Sequence, residues 1–277
     1  MKYPEIQNLY KYMPWNEYTK TSLEQGAFWF SSPTNFNDPL DCGISLNTKG
    51  NTPFFTDLVT TALSELGKAT GNSIKDPTKI DSIKDSIQQF ANSLSGNASA
   101  ISNEINEAKS DQAAYEHLKE KFISSGILSL SELGDNILMW SHYAQQHQGI
   151  CVELERTSTN ILGSTECTLP VRYSIKAPII NARLYRIANR EEKTEIEQSL
   201  VLTKAADWTY EREWRIVKSR GANSLQILNC KIRSITLGLR AKDDTYKYIS
   251  SFAKTSDFEV KKATLNPNEF GLKIDPI

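Results

Sequence analysis

The chain has only three histidines and four cysteines, a formal net charge of −1, and no hydrophobic run long enough to cross a bilayer. Each scarcity excludes something. Cys42, Cys151, Cys167 and Cys230 are scattered without a CxxC pair or a Cys-His pair at metal-ligand spacing, so neither a disulfide framework nor a zinc site has a basis. Free thiols, mostly buried, and no bound metal are expected. Lysine and arginine number 32 against 33 acidic residues, so the molecule as a whole offers no positive field to nucleic acid or an anionic membrane. Its longest apolar stretches, such as 127–130 and 216–217, are far too short to span lipid, and Met1-Lys2-Tyr3-Pro4 lacks a hydrophobic signal core. These features predict a cytoplasmic protein without membrane partners.

At 277 residues, with 39% hydrophobic and 23% charged side chains, the chain can bury a substantial core. A short aromatic run at Leu9–Tyr12 precedes a helical stretch over Asn16–Gln25 that Gly26 closes, and the aromatic residues of Ala27–Phe30 suit a strand. From Thr56 to about Phe122 the composition shifts to Ser, Asn, Lys, Glu and Ala, with apolar residues at helical intervals, which predicts a helical insert at about 56–122. Strand patterns return at 127–130, 149–155, 171–173, 179–180, 214–218, 225–228, 232–239, 259–264 and 271–274, with helices near 137–144, 191–204 and 243–253. Strands and helices mix without regular βαβ alternation. The expected fold is therefore α+β, a single domain over 1–277 with a mixed or antiparallel central sheet and the helical insert.

Three segments concentrate polar and aromatic side chains. The first joins Tyr10-Lys11-Tyr12 to Ser31 and the loop Asn35-Phe36-Asn37-Asp38-Pro39-Leu40-Asp41, where more Asx residues crowd together than a turn requires. The plainer alternative makes the tyrosines half-buried core. The second is Met139-Trp140-Ser141-His142-Tyr143, with His147 five residues after His142. Histidine suits acid–base chemistry, although this spacing is wrong for a helical metal pair, and His142 packed under Trp140 is the structural alternative. The third is Asp207-Trp208-Thr209-Tyr210-Glu211-Arg212-Glu213-Trp214-Arg215. On a strand, Glu211, Glu213 and Arg215 would share one face, with Arg212 and Trp214 on the other. A solvated edge strand is the alternative, but aromatic walls around a carboxylate also suit a pocket for a planar base or a sugar.

In this order, Leu9–Tyr12, Phe30–Pro33 with Phe36–Pro39, Met139–Tyr143 with His147 and Gly149, and Trp208–Arg215 resemble an uncharacterised bacterial family, domain of unknown function 2971. A more distant likeness is to ADP-ribosyltransferases: Tyr10 or Tyr12, then Ser31 or Ser32, then Glu211 or Glu213 would fill that fold's strand positions. The likeness implies an ADP-ribosyltransferase-like fold and NAD as substrate, and the family's associations imply a phage-defence or toxin effector. The first position departs from the usual pattern, having neither His nor Arg but Lys11 between tyrosines.

Under this reading Glu213 or Glu211 is catalytic, stabilising the oxocarbenium-like charge on ribose, with His142 a further catalytic candidate. Tyr10, Tyr12 and Trp208 wall the base and sugar, Arg215 pairs with phosphate, and Lys11, Ser31, Asn37, Asp38, Trp140 and Tyr143 complete the ligand set. A non-enzymatic sensor or effector that binds a nucleotide or a protein is the second hypothesis. A metal-dependent nuclease using Asp38, Asp41, Glu153 and Glu213 is the third, and it requires those carboxylates to converge.

Overall fold

A computed structural model describes residues 2–42, 45–46, 85, 88, 92 and 98–277. Two compact units emerge, one formed by Met1–Gly43, Glu120–Pro178 and Glu197–Ile277, the other by Ile44–Lys119 and Ile179–Ile196.

The first unit begins with strand β1 (Asn8–Met13), helix α1 (Glu17–Gln25) and strand β2 (Ala27–Phe30). Asn16 caps α1 by accepting from the Thr19 amide at 3.0 Å, and Gly26 ends it at φ 58, a left-handed conformation that glycine adopts without a Cβ penalty. The chain then supplies β3 (Ser45–Leu46), α2 (Ala98–Ser124), β4 (Gly126–Ser131), α3 (Ile137–Tyr143) and β5 (Ile150–Glu155). Short strands β6 (Thr168–Pro170), β7 (Arg172–Ser174) and β8 (Ile179–Ile180) lead to helices α4 (Ala182–Ile187) and α5 (Arg190–Leu202). Then come β9 (Thr203–Ala205), a 3₁₀ turn at Ala206–Glu211, β10 (Glu213–Lys218), β11 (Ser224–Ile227), β12 (Ile232–Leu237), α6 (Asp243–Ser256), β13 (Glu259–Leu265) and β14 (Leu272–Pro276).

Eight strands of this unit form one mixed sheet in the order β14-β13-β12-β5-β1-β4-β10-β6, in which only β12 and β13 run parallel. The fold is α+β with a mixed sheet, as the irregular alternation of strands and helices predicts. Period-two alternation divides its faces. Leu9, Leu128, Leu130, Val152, Leu154, Trp214, Ile216 and Ile235 share an apolar core with Leu23 of α1, Phe28 and Phe30 of β2 and Ile249 of α6. The other residues of the same strands, among them Tyr10, Tyr12, Ser129, Glu153, Glu213 and Arg215, belong to the opposite face. There Met139 and Trp140 of α3, with Ala144 just after it, pack with Tyr12 and Cys151.

One irregularity shapes the middle of the sheet. All six residues of β1 pair with β5, whereas β1 and β4 share the single pair Tyr10↔Ser131. Beyond that pair the two central strands lose their ladder and the sheet opens. Gly134 makes room beside the opening, since a Cβ there would lie 2.8 Å from the Tyr10 ring.

In the second unit, β3 and β8 pair in parallel through Ser45↔Ile179 and Leu46↔Ile180. Arg186 and Arg183 of α4 form ion pairs with Asp111 (2.6 Å) and Glu107 (3.1 Å) of α2. The expected helical insert over about 56–122 lies outside the described residues for most of its length, and its final part belongs to α2. Among the described residues no helix is long and apolar enough to cross a membrane. All four cysteines are free thiols, with Cys42 and Cys151 buried and Cys167 and Cys230 half-buried.

Candidate functional site

A cleft of about 220 Å³ occupies the opening between β1 and β4. Tyr10, Lys11 and Tyr12 of β1 form one wall and Ile127, Ser129 and Leu130 of β4 another. Ser31 and the loop residues Asn35, Phe36, Asn37, Asp38 and Asp41 cover a third side with Trp29, and Tyr143 and Met139 of α3 with Trp208 enclose the fourth. Glu211, Glu213 and Lys204 complete the lining. The tyrosines offer ring faces because their hydroxyls are committed elsewhere: Tyr10 donates to Glu153 Oε1 (3.2 Å) and Tyr12 to the Leu133 carbonyl (2.7 Å). Burial raises the pKa of both, so they remain neutral phenols.

The polar end is a buried ionic cluster. Lys204 Nζ donates to Glu211 Oε2 at 2.5 Å and Glu213 Oε2 at 3.0 Å, and it lies 3.3 Å from Asp41 Oδ2. Arg215 donates through Nε to Glu213 Oε1 (2.8 Å) and through Nη2 to Asp41 Oδ2 (2.6 Å) and Glu213 Oε2 (3.0 Å). Its Nη1 reaches the Val201 carbonyl at 2.7 Å and Cys42 Sγ at 3.1 Å. Tyr143 donates to Glu211 Oε1 at 2.7 Å. Three carboxylates thus surround two cations in a region from which water is largely excluded, where such charges persist only if fully paired. Within this cluster, Asp41 Oδ1 is left buried without a hydrogen-bond partner.

The two glutamates differ in kind. Burial pushes the Glu213 carboxyl up, but Arg215 and Lys204 overcome it and hold the group down at about 2. For Glu211 burial outweighs Lys204 and the Tyr143 hydroxyl, and its carboxyl lies above the ordinary glutamate value. Glu213 is therefore a fixed anion, and Glu211 the carboxyl more readily protonated.

Of the residues singled out from sequence, Tyr10, Lys11, Tyr12, Ser31, Asn37, Asp38, Tyr143, Trp208, Glu211 and Glu213 line this one cleft. Trp140, Arg215 and His142 are not among the lining residues. Trp140 is completely buried, edge-on to Tyr12, with its indole N–H donated to the Gly134 carbonyl at 3.0 Å. Arg215 is also fully buried, and its guanidinium is consumed by Glu213 and Asp41, so it is no phosphate ligand. His142 is exposed and meets Tyr143 and Trp208 edge-on. The histidine stacked on Trp140 is instead His147, with ring centroids 6.3 Å apart and planes at 11°.

The third segment is also not one strand. Residues 206–211 form the 3₁₀ turn and Arg212 takes a left-handed φ of 42, so alternation starts only at Glu213. Glu211 nevertheless arrives beside Glu213, because both carboxylates converge on Lys204. Of the nuclease set, Asp38, Asp41 and Glu213 line the cleft, but Glu153 does not join them: it is engaged by Ser234, Lys261 and Tyr10, and Asp38 itself accepts from the Trp208 indole at 2.7 Å. Among the described residues no group of three His, Cys, Asp or Glu side chains is arranged to hold a metal.

Lys204, Trp29 and Ser129 were not legible as site residues, and Phe36 and Met139 lay within the segments singled out without being assigned a role. Lys204 reads as the end of a helical pattern, and its spacing of seven and nine positions from the two glutamates is the one local hint. Phe36 lies under the Arg215 guanidinium at 5.0 Å, a contact that crosses most of the chain.

The segment that carries both glutamates and Lys204 also matches a family model. Residues 139–216 match the family model described as "Protein of unknown function (DUF2971)". No curated protein and no solved structure matches the chain. The DUF2971 match runs from Met139 in α3 to Ile216 in β10. It includes Tyr143, Trp208, Glu211, Glu213 and Arg215, while β1 and the 31–41 loop lie outside it.

Proposed function

We propose that the cleft takes the nicotinamide-ribose end of NAD and that the protein is an ADP-ribosyltransferase-like enzyme of the cytoplasm. The observation that carries this reading is that aromatic walls from β1, α3 and the 3₁₀ turn converge on a pair of buried carboxylates. Aromatic faces suit a planar base, and the Asn and Asp side chains of the 31–41 loop suit ribose hydroxyls. At about 220 Å³ the cleft suits one ring and a sugar, so the remainder of a dinucleotide would extend beyond it.

In the proposed reaction the C–N bond between ribose and nicotinamide breaks, the nicotinamide nitrogen keeps the electron pair, and an acceptor nucleophile bonds to the ribose carbon and loses its proton. Glu211 is the carboxylate assigned to the developing positive charge. Both carboxylates share the Lys204 ammonium, but the second partner of Glu211 is the neutral Tyr143 hydroxyl, which can turn away, whereas Glu213 is also bound by a guanidinium. Consumption of NAD in this way would also serve a phage-defence or toxin effector. Incubation with NAD labelled in each half tests the reading. Release of nicotinamide, abolished in Glu211→Gln, is expected; intact NAD after prolonged incubation with cell extract as the source of acceptors would sink it.

A second reading, a nucleotide-binding sensor without turnover, is favoured by the full occupation of the glutamate oxygens. Calorimetry separates the two: heat of NAD binding without nicotinamide release assigns the cleft to recognition alone.

A further inference from the structure

Lys11 has no part in the proposed reaction, yet its placement is unusual. Strand alternation would send its side chain to the apolar face with Leu9 and Met13. Because β1 and β4 part beyond Tyr10↔Ser131, the side chain lines the cleft instead, and Nζ donates to the Ser129 carbonyl at 2.9 Å. That carbonyl is its one hydrogen-bond partner, and Lys11 forms no salt bridge among the described residues. Lys204, the other amine of the cleft, is locked by three carboxylates. An ammonium can donate three hydrogen bonds, so Lys11 keeps unused capacity beside the apolar side chains of Ile127 and Tyr12.

We propose that Lys11 is a carbonyl-capture site, at which its free amine adds to the aldehyde or ketone of a small planar compound held between the aromatic walls. The amine lone pair forms the N–C bond as the C=O π pair moves to oxygen, and one amine proton passes to that oxygen to give a carbinolamine. Departure of the hydroxyl as water, with a proton from the Tyr143–Glu211 pair that lines the same cleft, leaves a protonated imine, and return of its N–H proton to that pair gives the neutral imine. No oxidant or reductant enters. Burial, only partly offset by Glu213, brings the amine down to about 8, which makes a substantial free-amine fraction available near neutral pH. The site stands independently of the NAD reading.

The test is reductive trapping of the intact protein with limiting salicylaldehyde and cyanoborohydride, with modified positions read by peptide mass spectrometry. At pH 7.5, Lys11 is expected to label at least about tenfold faster than surface lysines, a margin set by its larger free-amine fraction. Its rate should reach half-maximum near pH 8, and the selectivity should vanish in denaturant. Lys11→Arg should remove this label and leave the slow surface labelling unchanged. Labelling of Lys11 no faster than surface lysines, or with a midpoint near 10, would overturn the proposal. Should the Arg variant fail to fold, the wild-type pH profile decides the matter alone, and a failure of NAD turnover leaves this readout untouched.

Discussion

Arg215 Nη2 and Asp41 Oδ2 lie 2.6 Å apart in the buried interior although 174 positions separate them in the chain. The pair ties the 31–41 loop to β10, and with Glu213 and Lys204 it sets the polar end of the cleft. Removing one partner from such a cluster leaves uncompensated buried charge. Arg215→Met is expected to cost about 3–5 kcal/mol in urea denaturation. Arg215→Lys should recover little of it, because an ammonium cannot reproduce the planar fork that serves Glu213, Asp41 and the Val201 carbonyl together. A near-neutral Arg215→Lys would contradict the geometry.

Glu213 predicts a pH signature. Its folded-state pKa is depressed to about 2 from an ordinary 4.5, so its stabilising contribution is complete above the unfolded value and is lost as pH falls through this window. The stability gap between wild type and Glu213→Gln should be widest above pH 5 and narrow steadily toward pH 2. A gap that does not change with pH would show that Glu213 is not the fixed anion of the cluster.

Lys11 carries the opposite kind of shift. With its folded-state pKa lowered to about 8 from 10.5, the unfolded chain holds more protons between those values, and stability rises with pH across them. Lys11→Met is expected to stabilise the protein at pH 7 by roughly 1–3 kcal/mol, with the gain shrinking from pH 8 toward 10.5. Denaturation midpoints at pH 7, 9 and 10 measure it.

Tyr143→Phe removes the hydroxyl that Glu211 Oε1 accepts from at 2.7 Å, and should cost about 1.5–3 kcal/mol. It should also raise the Glu211 carboxyl further, since that hydrogen bond favours the anion. Carboxyl-carbon NMR titration of wild type and variant checks the direction.

Trp208 stands over the Lys204 ammonium at 5.2 Å and is pinned through its indole N–H to Asp38. Ligand entering the cleft should change its emission, and Trp208→Phe should abolish that change while weakening binding. Fluorescence titration with NAD that leaves Trp208 unaffected, at concentrations where calorimetry detects binding, would place the ligand elsewhere.

Local pattern marked several of the elements. Asn16 and Gly26 bound α1 because a side-chain oxygen and a residue free of Cβ are what helix ends require, and aromatic or alternating runs marked β1, β2, β5, β10 and β12 because these residues fit a pleated surface. The irregular order of strands and helices was enough for a mixed sheet.

Which polar residues are reachable depends on how the folded chain packs around them. Arg215 and Glu213 carry equal charge to any surface pair in the sequence, yet burial against Asp41 and Lys204 turns the arginine from a ligand-binding group into a structural one. A single left-handed residue, Arg212, ends the strand pattern and still delivers Glu211 to the same lysine. The cleft itself arises because β1 and β4 share one register pair, and strand periodicity carries no information about where two strands part. Short-range pattern reports backbone conformation, whereas desolvation and pairing depend on neighbours that only the folded chain supplies.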